Sequence, residues 1–216
     1  MLRQARLHLA DLVARQTVPL AAADRLRELV ERKESFLVVG GTGSGKTTLL
    51  SALLGECPAA ERIVVIEDTA ELNPEHPHVV AMTSRRANVE GRGEITLSDL
   101  ARQALRMRPD RLIVGEIRGA EIVDMLAAMN TGHDGGAGTL HANSLQEVPA
   151  RIEALAAMGG LDRGATHAQL AAAIRTVLVM RRNRGGQREL AQIGRARLGS
   201  RRLVSFEPVW EAEDER

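Results

Sequence analysis

Eight consecutive residues constrain this chain more than any others: Gly40-Gly41-Thr42-Gly43-Ser44-Gly45-Lys46-Thr47. They fit the pattern G-x-x-x-x-G-K-[ST], and their flanks fit it too. Phe36-Leu37-Val38-Val39 before them reads as a strand, and Thr48-Leu49-Leu50-Ser51-Ala52-Leu53-Leu54 after them reads as a helix. A strand, a Gly-rich turn and a helix are the context a phosphate-binding loop needs. Without Cβ atoms the backbone can wrap closely around phosphate oxygens. Its N–H groups and the helix N-terminus supply fixed positive partial charge. Lys46 is expected to reach the β- and γ-phosphates, and the Thr47 hydroxyl to ligate Mg²⁺. The expected nucleotide contacts are Gly41, Thr42, Gly43, Ser44, Gly45, Lys46, Thr47 and Thr48.

Composition narrows the remaining choices. The 216 residues suffice for one sizeable core. The formal net charge of +1 demands no polyanionic partner. Two Phe, one Trp and no Tyr leave almost no platform for stacking single-stranded bases. Cys57 is the only cysteine, which excludes an internal disulfide and any metal site built from paired cysteines. The first residues carry charges with no long apolar stretch behind them, unlike a secretory signal. No apolar run approaches the ~20 residues that span a bilayer, so membrane contact is expected only through a partner.

Along the chain, helices are expected over 3–15 and 20–33, separated by Val18-Pro19. Strands at Phe36–Val39, Arg62–Ile66, Val79–Thr83, Arg111–Val114 and Ala137–Leu140 then alternate with helical segments. Capping boxes are read at Thr96-x-x-Asp99, Ser144-x-x-Glu147 and Thr166-x-x-Gln169. Val177–Met180 and Arg188–Ile193 flank Asn183-Arg184-Gly185-Gly186, a hairpin signal. Leu203–Phe206 reads as a last strand, and the arginines of Arg181-Arg182-Asn183-Arg184 and Arg195–Arg202 read as mainly a solvated hairpin and subunit surface. Short apolar strands alternating with helices indicate an α/β fold with a largely parallel central sheet, whose ligand site lies beyond the C-terminal strand ends.

Those strand ends carry the chemistry. The strand at 62–66 leads into Glu67-Asp68-Thr69-Ala70-Glu71, and Leu112-Ile113-Val114 leads into Gly115-Glu116. In a parallel sheet they share one rim with Lys46 and Thr47. Nucleotide hydrolysis needs such a set: a cation and Mg²⁺ against phosphate charge, and a carboxylate to orient water. In Thr131–Ser144, His133 and His141 flank a short strand in a Gly-rich setting. No third ligand at a fitting spacing supports a metal site there.

Taken together, the motifs resemble the type II/IV secretion-system ATPases, and more narrowly the CpaF-like branch that assembles tight-adherence (Flp) pili. The resemblance covers residues 10–182. It runs through Gly40–Thr47 (Walker A), Ile66–Glu71 (the aspartate box), Asn88–Glu94, Ala104–Asp110 leading into Leu112–Glu116 (Walker B), and Thr131–Ser144 (the histidine box). It implies a RecA-like core that hydrolyses ATP with Mg²⁺. Glu71 would be the general base, with Lys46 also catalytic. Glu116 would be the Walker B carboxylate, sharing the metal with Thr47. His133 and His141 would couple nucleotide state to motion. Arg85, Arg86, Arg92 and Arg118 would be candidates for phosphate or intersubunit contacts. The resemblance further implies a homo-hexamer, cytoplasmic and peripheral at the inner membrane through a platform protein, powering pilus assembly or secretion.

Family members carry an N-terminal domain ahead of the motor core, whereas Gly40 lies only 39 residues into this chain. The expected organisation is therefore a helical remnant of that domain or its linker over 1–33, a motor domain over 34–210 and a charged tail over 211–216, as in a fragment or short variant. Two other readings stay open: a nucleic-acid translocase or recombinase-type ATPase on the same core, and a nucleotide-binding module with little activity.

Overall fold

Alternation along the strands decides the layers. Leu37, Val39, Val64, Ile66, Leu112 and Val114 join one buried cluster. Phe36, Val38, Ile63, Val65, Ile113 and Leu178 join a second. A sheet that is apolar on both faces has to be covered on both. In the computed structural model, which describes residues 7–132 and 134–212, helices do the covering.

On one face lie α1 (Leu9–Ala14), α2 (Leu20–Glu31) and α3 (Lys46–Gly55). On the other lie α4 (Leu97–Arg106), α5 (Glu121–Asn130), α6 (Glu147–Met158) and α7 (Arg163–Ala173). Between them run β1 (Phe36–Val39), β2 (Ile63–Glu67), β3 (Val79–Thr83), β4 (Arg111–Ile117), β5 (Ala137–Leu140), β6 (Thr176–Arg182), β7 (Arg188–Leu198) and β8 (Val204–Glu211). They form one eight-stranded sheet in the order β3-β2-β4-β5-β1-β6-β7-β8. The pairs from β3 across to β6 are parallel; β6–β7 and β7–β8 are antiparallel. The expected α/β architecture, largely parallel sheet and C-terminal hairpin are therefore present. The carboxyl ends of β1, β2, β4 and β5 meet at one rim, which positions the site.

Several expected boundaries shift. The first helix is described from Leu9 only, since residues 1–6 lie outside the described residues. The Thr96 box forms as expected: the Thr96 hydroxyl accepts from the Asp99 N–H, and Asp99 accepts from the Thr96 N–H. The Ser144 box does not form. Glu147 instead takes the Asn143 N–H at 2.8 Å, and the helix starts beyond Gln146. Nor does Thr166 open its helix. Asp162 is the cap, accepting from the Ala165 N–H at 2.7 Å, so Thr166 sits inside α7. Of the expected charged tail, Glu211 still pairs with Gln192, and 213–216 lie outside the described residues.

A buried ion pair fixes α2 to the sheet. Arg111, the first residue of β4, is 1% exposed. Its Nε donates to Glu61 at 2.5 Å and its other nitrogen to the Val30 carbonyl at 2.7 Å. Lys33 also contacts Glu61, at 2.9 Å. Burial alone would raise the Glu61 carboxyl, but these two cations outweigh it and hold it below the usual range.

Candidate functional site

The turn between β1 and α3 is shaped by its glycines. Gly40 lies so close to β6 that a Cβ would stand 2.3 Å from the Met180 carbonyl oxygen. Gly45 caps the helix at φ 100°, in the left-handed region. Lys46 folds back over this turn and donates to the carbonyls of Gly40 at 2.9 Å and Gly41 at 3.0 Å. It is 7% exposed. Burial pulls its ammonium below the ordinary lysine range, while nearby Glu116 pulls the other way.

Glu116 is aimed by a bulge. Val114 pairs with Gly138 and Ile117 with Leu140, so Gly115 and Glu116 together face Thr139 alone. Such a two-against-one arrangement re-aims side chains. Thr139 pins the bulge by donating to the Gly115 carbonyl at 2.6 Å. The Glu116 carboxylate contacts His141 Nε2 at 2.5 Å on one oxygen and Arg118 on the other. Sequence reasoning ended this strand at Val114, because a bulge leaves no local sequence signal.

At the end of β2, Glu67 is buried and its Oε1 accepts from the N–H groups of Glu71 at 3.1 Å and Leu72 at 2.9 Å. Burial pushes this carboxyl up, against the pull of the two N–H groups. Sequence reasoning assigned it no role of its own. Asp68 accepts from the Ser84 hydroxyl at 2.7 Å, which ties β2 to the segment after β3.

These groups line one cavity of about 210 Å³: Thr42, Gly43, Lys46, Thr47, Glu67, Asp68, Thr69, Glu71, Gly115, Glu116, Arg118, Thr139 and His141. Of the expected site residues it therefore gathers Thr42, Gly43, Lys46, Thr47, Glu71, Glu116, Arg118 and His141. Ser44 is buried beneath the loop, and Thr48 lies in α3. Arg85, Arg86 and Arg92 do not line the cavity. They sit on an exposed loop after β3, where Arg85 donates to the Gly93 carbonyl at 2.7 Å and pairs with Ile95. His133 lies outside the described residues.

A larger cleft, about 1180 Å³, lies between the N-terminal helices and the hairpin. Val13, Val18, Pro19, Leu20, Arg182 and Trp210 are among its lining residues. Among the described residues none lines both cavities; the Arg182 guanidinium, which lines the larger one, lies 3.2 Å from the place of a Cβ on Gly43. Arg188 Nε donates to the Gly43 carbonyl at 3.0 Å. Of the arginines expected to be solvated, Arg181 instead pairs with Glu189 at 2.6 Å and Arg195 with Glu34. Among the described residues no group of three or more His, Cys, Asp or Glu is placed to hold a metal, and no helix is long and apolar enough to cross a membrane.

The type II/IV secretion system protein family matches this chain over residues 1–194. A Mycobacterium tuberculosis protein, provisionally described as a conjugal transfer protein, is 57% identical over 213 residues, 99% of this chain. The chain spans 60% of that relative's length. The type IV secretion system protein PtlH of Bordetella pertussis is 46% identical over 126 residues, 56% of this chain and 36% of PtlH. Among solved structures, the VirB11 ATPase of the Brucella suis type IV secretion system, in complex with sulphate, superposes with a TM-score of 0.70 and 28% identity. That superposition covers 89% of this chain and 59% of VirB11.

Proposed function

The chain belongs to the type II/IV secretion system protein family, and on that premise we propose that it hydrolyses ATP with Mg²⁺ as the motor of a secretion or pilus machine. One observation carries the reading: a single cavity brings the loop cation Lys46 and the Thr47 hydroxyl against Glu71, Glu116, Arg118 and His141. The name of the VirB11 relative, an ATPase of a type IV secretion system, supports it.

The small cavity suits the phosphate end of the nucleotide. Small-molecule sites usually enclose about 300–1,000 Å³, so the nucleoside extends beyond this cavity. Arriving phosphate oxygens replace the Gly40 and Gly41 carbonyls as acceptors for Lys46. The hard oxygen donors of Thr47 and Glu116 fit Mg²⁺, and these two residues would hold it. The ion supplies neutralisation of phosphate charge. For that role Glu116 gives up Arg118, and the released guanidinium becomes available to the phosphates. Glu71, at the open edge of the cavity, orients the attacking water and accepts its proton.

The narrower reading is a CpaF-like motor, supported by the residues from Asn88 to Glu94 and from Ala104 to Asp110. In it the chain works as a homo-hexamer, cytoplasmic and held at an inner-membrane platform protein, with residues 1–33 as the remnant of the preceding domain, 34–210 as the motor and 211–216 as a tail. Arg85, Arg86 and Arg92 then serve a neighbour's site, since they do not line their own, and His133 joins His141 in coupling. The test is phosphate release from Mg·ATP across a protein dilution series, with light scattering for mass. Turnover per subunit should rise as rings form. A protein with no turnover at any concentration contradicts the motor reading, and a monomer of constant activity contradicts the ring.

A further inference from the structure

The C-terminal hairpin reaches the phosphate loop through two arginines. Arg182 ends β6 and Arg188 begins β7, and they stand directly opposite each other in the antiparallel ladder. Like charges facing each other across a ladder cost stability, so cross-strand pairing does not account for Arg188. What it contacts is the loop. Its Nε donates to the Gly43 carbonyl at 3.0 Å, and its Cδ lies 3.3 Å from the place a Cβ would take on Gly45. The strand that presents it is held at both sides. At the turn, the Asn183 side-chain oxygen accepts the Gln187 N–H at 3.0 Å. Further along β7, the Leu190 N–H donates to the Thr17 carbonyl at 2.8 Å, which ties the strand to the segment between α1 and α2.

Fixing the Gly43 carbonyl fixes the N–H that follows it. A peptide unit is planar and trans, so its C=O and N–H point in opposite directions. With the Gly43 oxygen turned toward Arg188, the Ser44 N–H is turned into the loop. There it donates to the Gly41 carbonyl at 3.3 Å, the same oxygen that Lys46 Nζ contacts at 3.0 Å. The Ser44 N–H and the Lys46 ammonium thus converge on one acceptor, and Lys46 lines the cavity. A phosphate oxygen that takes the place of this carbonyl receives both donors. Gly43, at φ 71°, does not restrain this peptide by itself, because glycine moves between positive and negative φ at little cost. The restraint comes from outside the loop.

We propose that Arg188 is a positioning residue for phosphate binding: by holding the Gly43 carbonyl on the hairpin side, it keeps the Ser44 N–H aimed, beside Lys46, at an anionic phosphate oxygen of the nucleotide. This rests on the nucleotide-binding part of the proposed function and not on hydrolysis.

Two substitutions separate the hydrogen bond from the charge. Arg188→Gln removes the charge but carries an amide N–H donor as many bonds from Cα as the arginine Nε. Arg188→Met removes charge and donor and keeps an unbranched stem. Both relieve the repulsion with Arg182 equally, so the difference between them reports the donor alone. The full chain is compared by affinity for a fluorescent Mg·ATP analogue, by steady-state turnover and by denaturant midpoint. Arg188→Met should lose about fivefold in affinity, the worth of one hydrogen bond, and raise KM by a similar factor with kcat within about twofold of wild type. Arg188→Gln should stay within about twofold of wild type in affinity and KM. Equal losses in the two variants overturn the positioning role in favour of the guanidinium charge, and wild-type affinity in both overturns it outright. A loss confined to kcat also overturns it. So does a denaturant midpoint that falls only in Arg188→Met, which would make the bond a brace of the fold. If wild type binds the analogue without hydrolysing ATP, the motor reading fails while the affinity comparison still decides Arg188. If wild type binds neither ATP nor ADP, both fail.

Discussion

The rim has two halves that are built in different ways. The phosphate-loop half is local: eight consecutive residues, with Lys46 satisfied by the carbonyls of its own turn. The carboxylate half is assembled from the ends of three strands. Glu67 and Glu71 follow β2, Glu116 and Arg118 ride on the bulge of β4, and His141 follows β5. Its polar groups already bind one another, with Glu116 held between Arg118 and His141. On the proposed function the loop half is poised for a phosphate ligand, whereas the carboxylate half would have to exchange partners before it acts. Affinity should reside in the first half and rate in the second.

The sharpest way to break that comparison is Lys46→Ala. No other side-chain cation is fixed within the loop itself, so this variant should abolish turnover and weaken nucleotide binding at least tenfold. Near-wild-type turnover would remove the loop from the account. Next in size are Glu71→Gln and Glu116→Gln, which should slow hydrolysis about 10²-fold or more while ATP affinity stays close to wild type. A variant of either residue that loses affinity and keeps its turnover number would move that residue to the binding half. Arg118→Ala should have a smaller effect, about a tenfold loss in kcat, because Arg118 is largely exposed and His141 still contacts Glu116. A gain in kcat would instead make Arg118 a competitor that restrains Glu116.

The smallest expected effect lies outside the rim and serves as a control. His167 accepts the Val204 N–H on Nδ1 at 2.8 Å, so its Nε2 carries the proton and donates to Glu153 at 2.7 Å. The bond from His167 holds the Glu153 carboxyl below its usual range. A depressed carboxylate pKa contributes stability that is present above the unfolded value, about 4.3, and lost as pH falls through the folded value. Denaturant midpoints of wild type should fall through that acid window, and Glu153→Gln should flatten the fall without changing kcat. Identical acid profiles for the two proteins would remove this pair from the stability account.

Legibility in the sequence followed the same division. The loop, its strand and its helix were readable because every contact that shapes them is local. The Thr96 capping box was readable for the same reason. The alternation of short apolar strands was enough for the α/β class and for placing the site at the strand ends. What was missed is non-local. Arg111 and Glu61 are fifty residues apart in sequence, and nothing near either of them announces a buried pair. The bulge at Gly115 and Glu116 exists only relative to β5. Glu67 was readable as one carboxylate among several, but its burial depends on a neighbouring strand that carries glycine opposite it. Two of the three capping boxes failed in an instructive way: Ser144 and Thr166 had the right spacing, but nearby side chains, Glu147 and Asp162, formed the better local bonds.

The division of the rim is tested most directly by a filter-bound nucleotide assay on Glu116→Gln and Lys46→Ala side by side, with labelled ATP and Mg²⁺. The account predicts that Glu116→Gln retains ATP on the protein, mostly unhydrolysed, and that Lys46→Ala retains little nucleotide of any kind. Lys46→Ala holding ATP as well as wild type, or Glu116→Gln failing to hold it, would contradict the claim that one half binds and the other reacts.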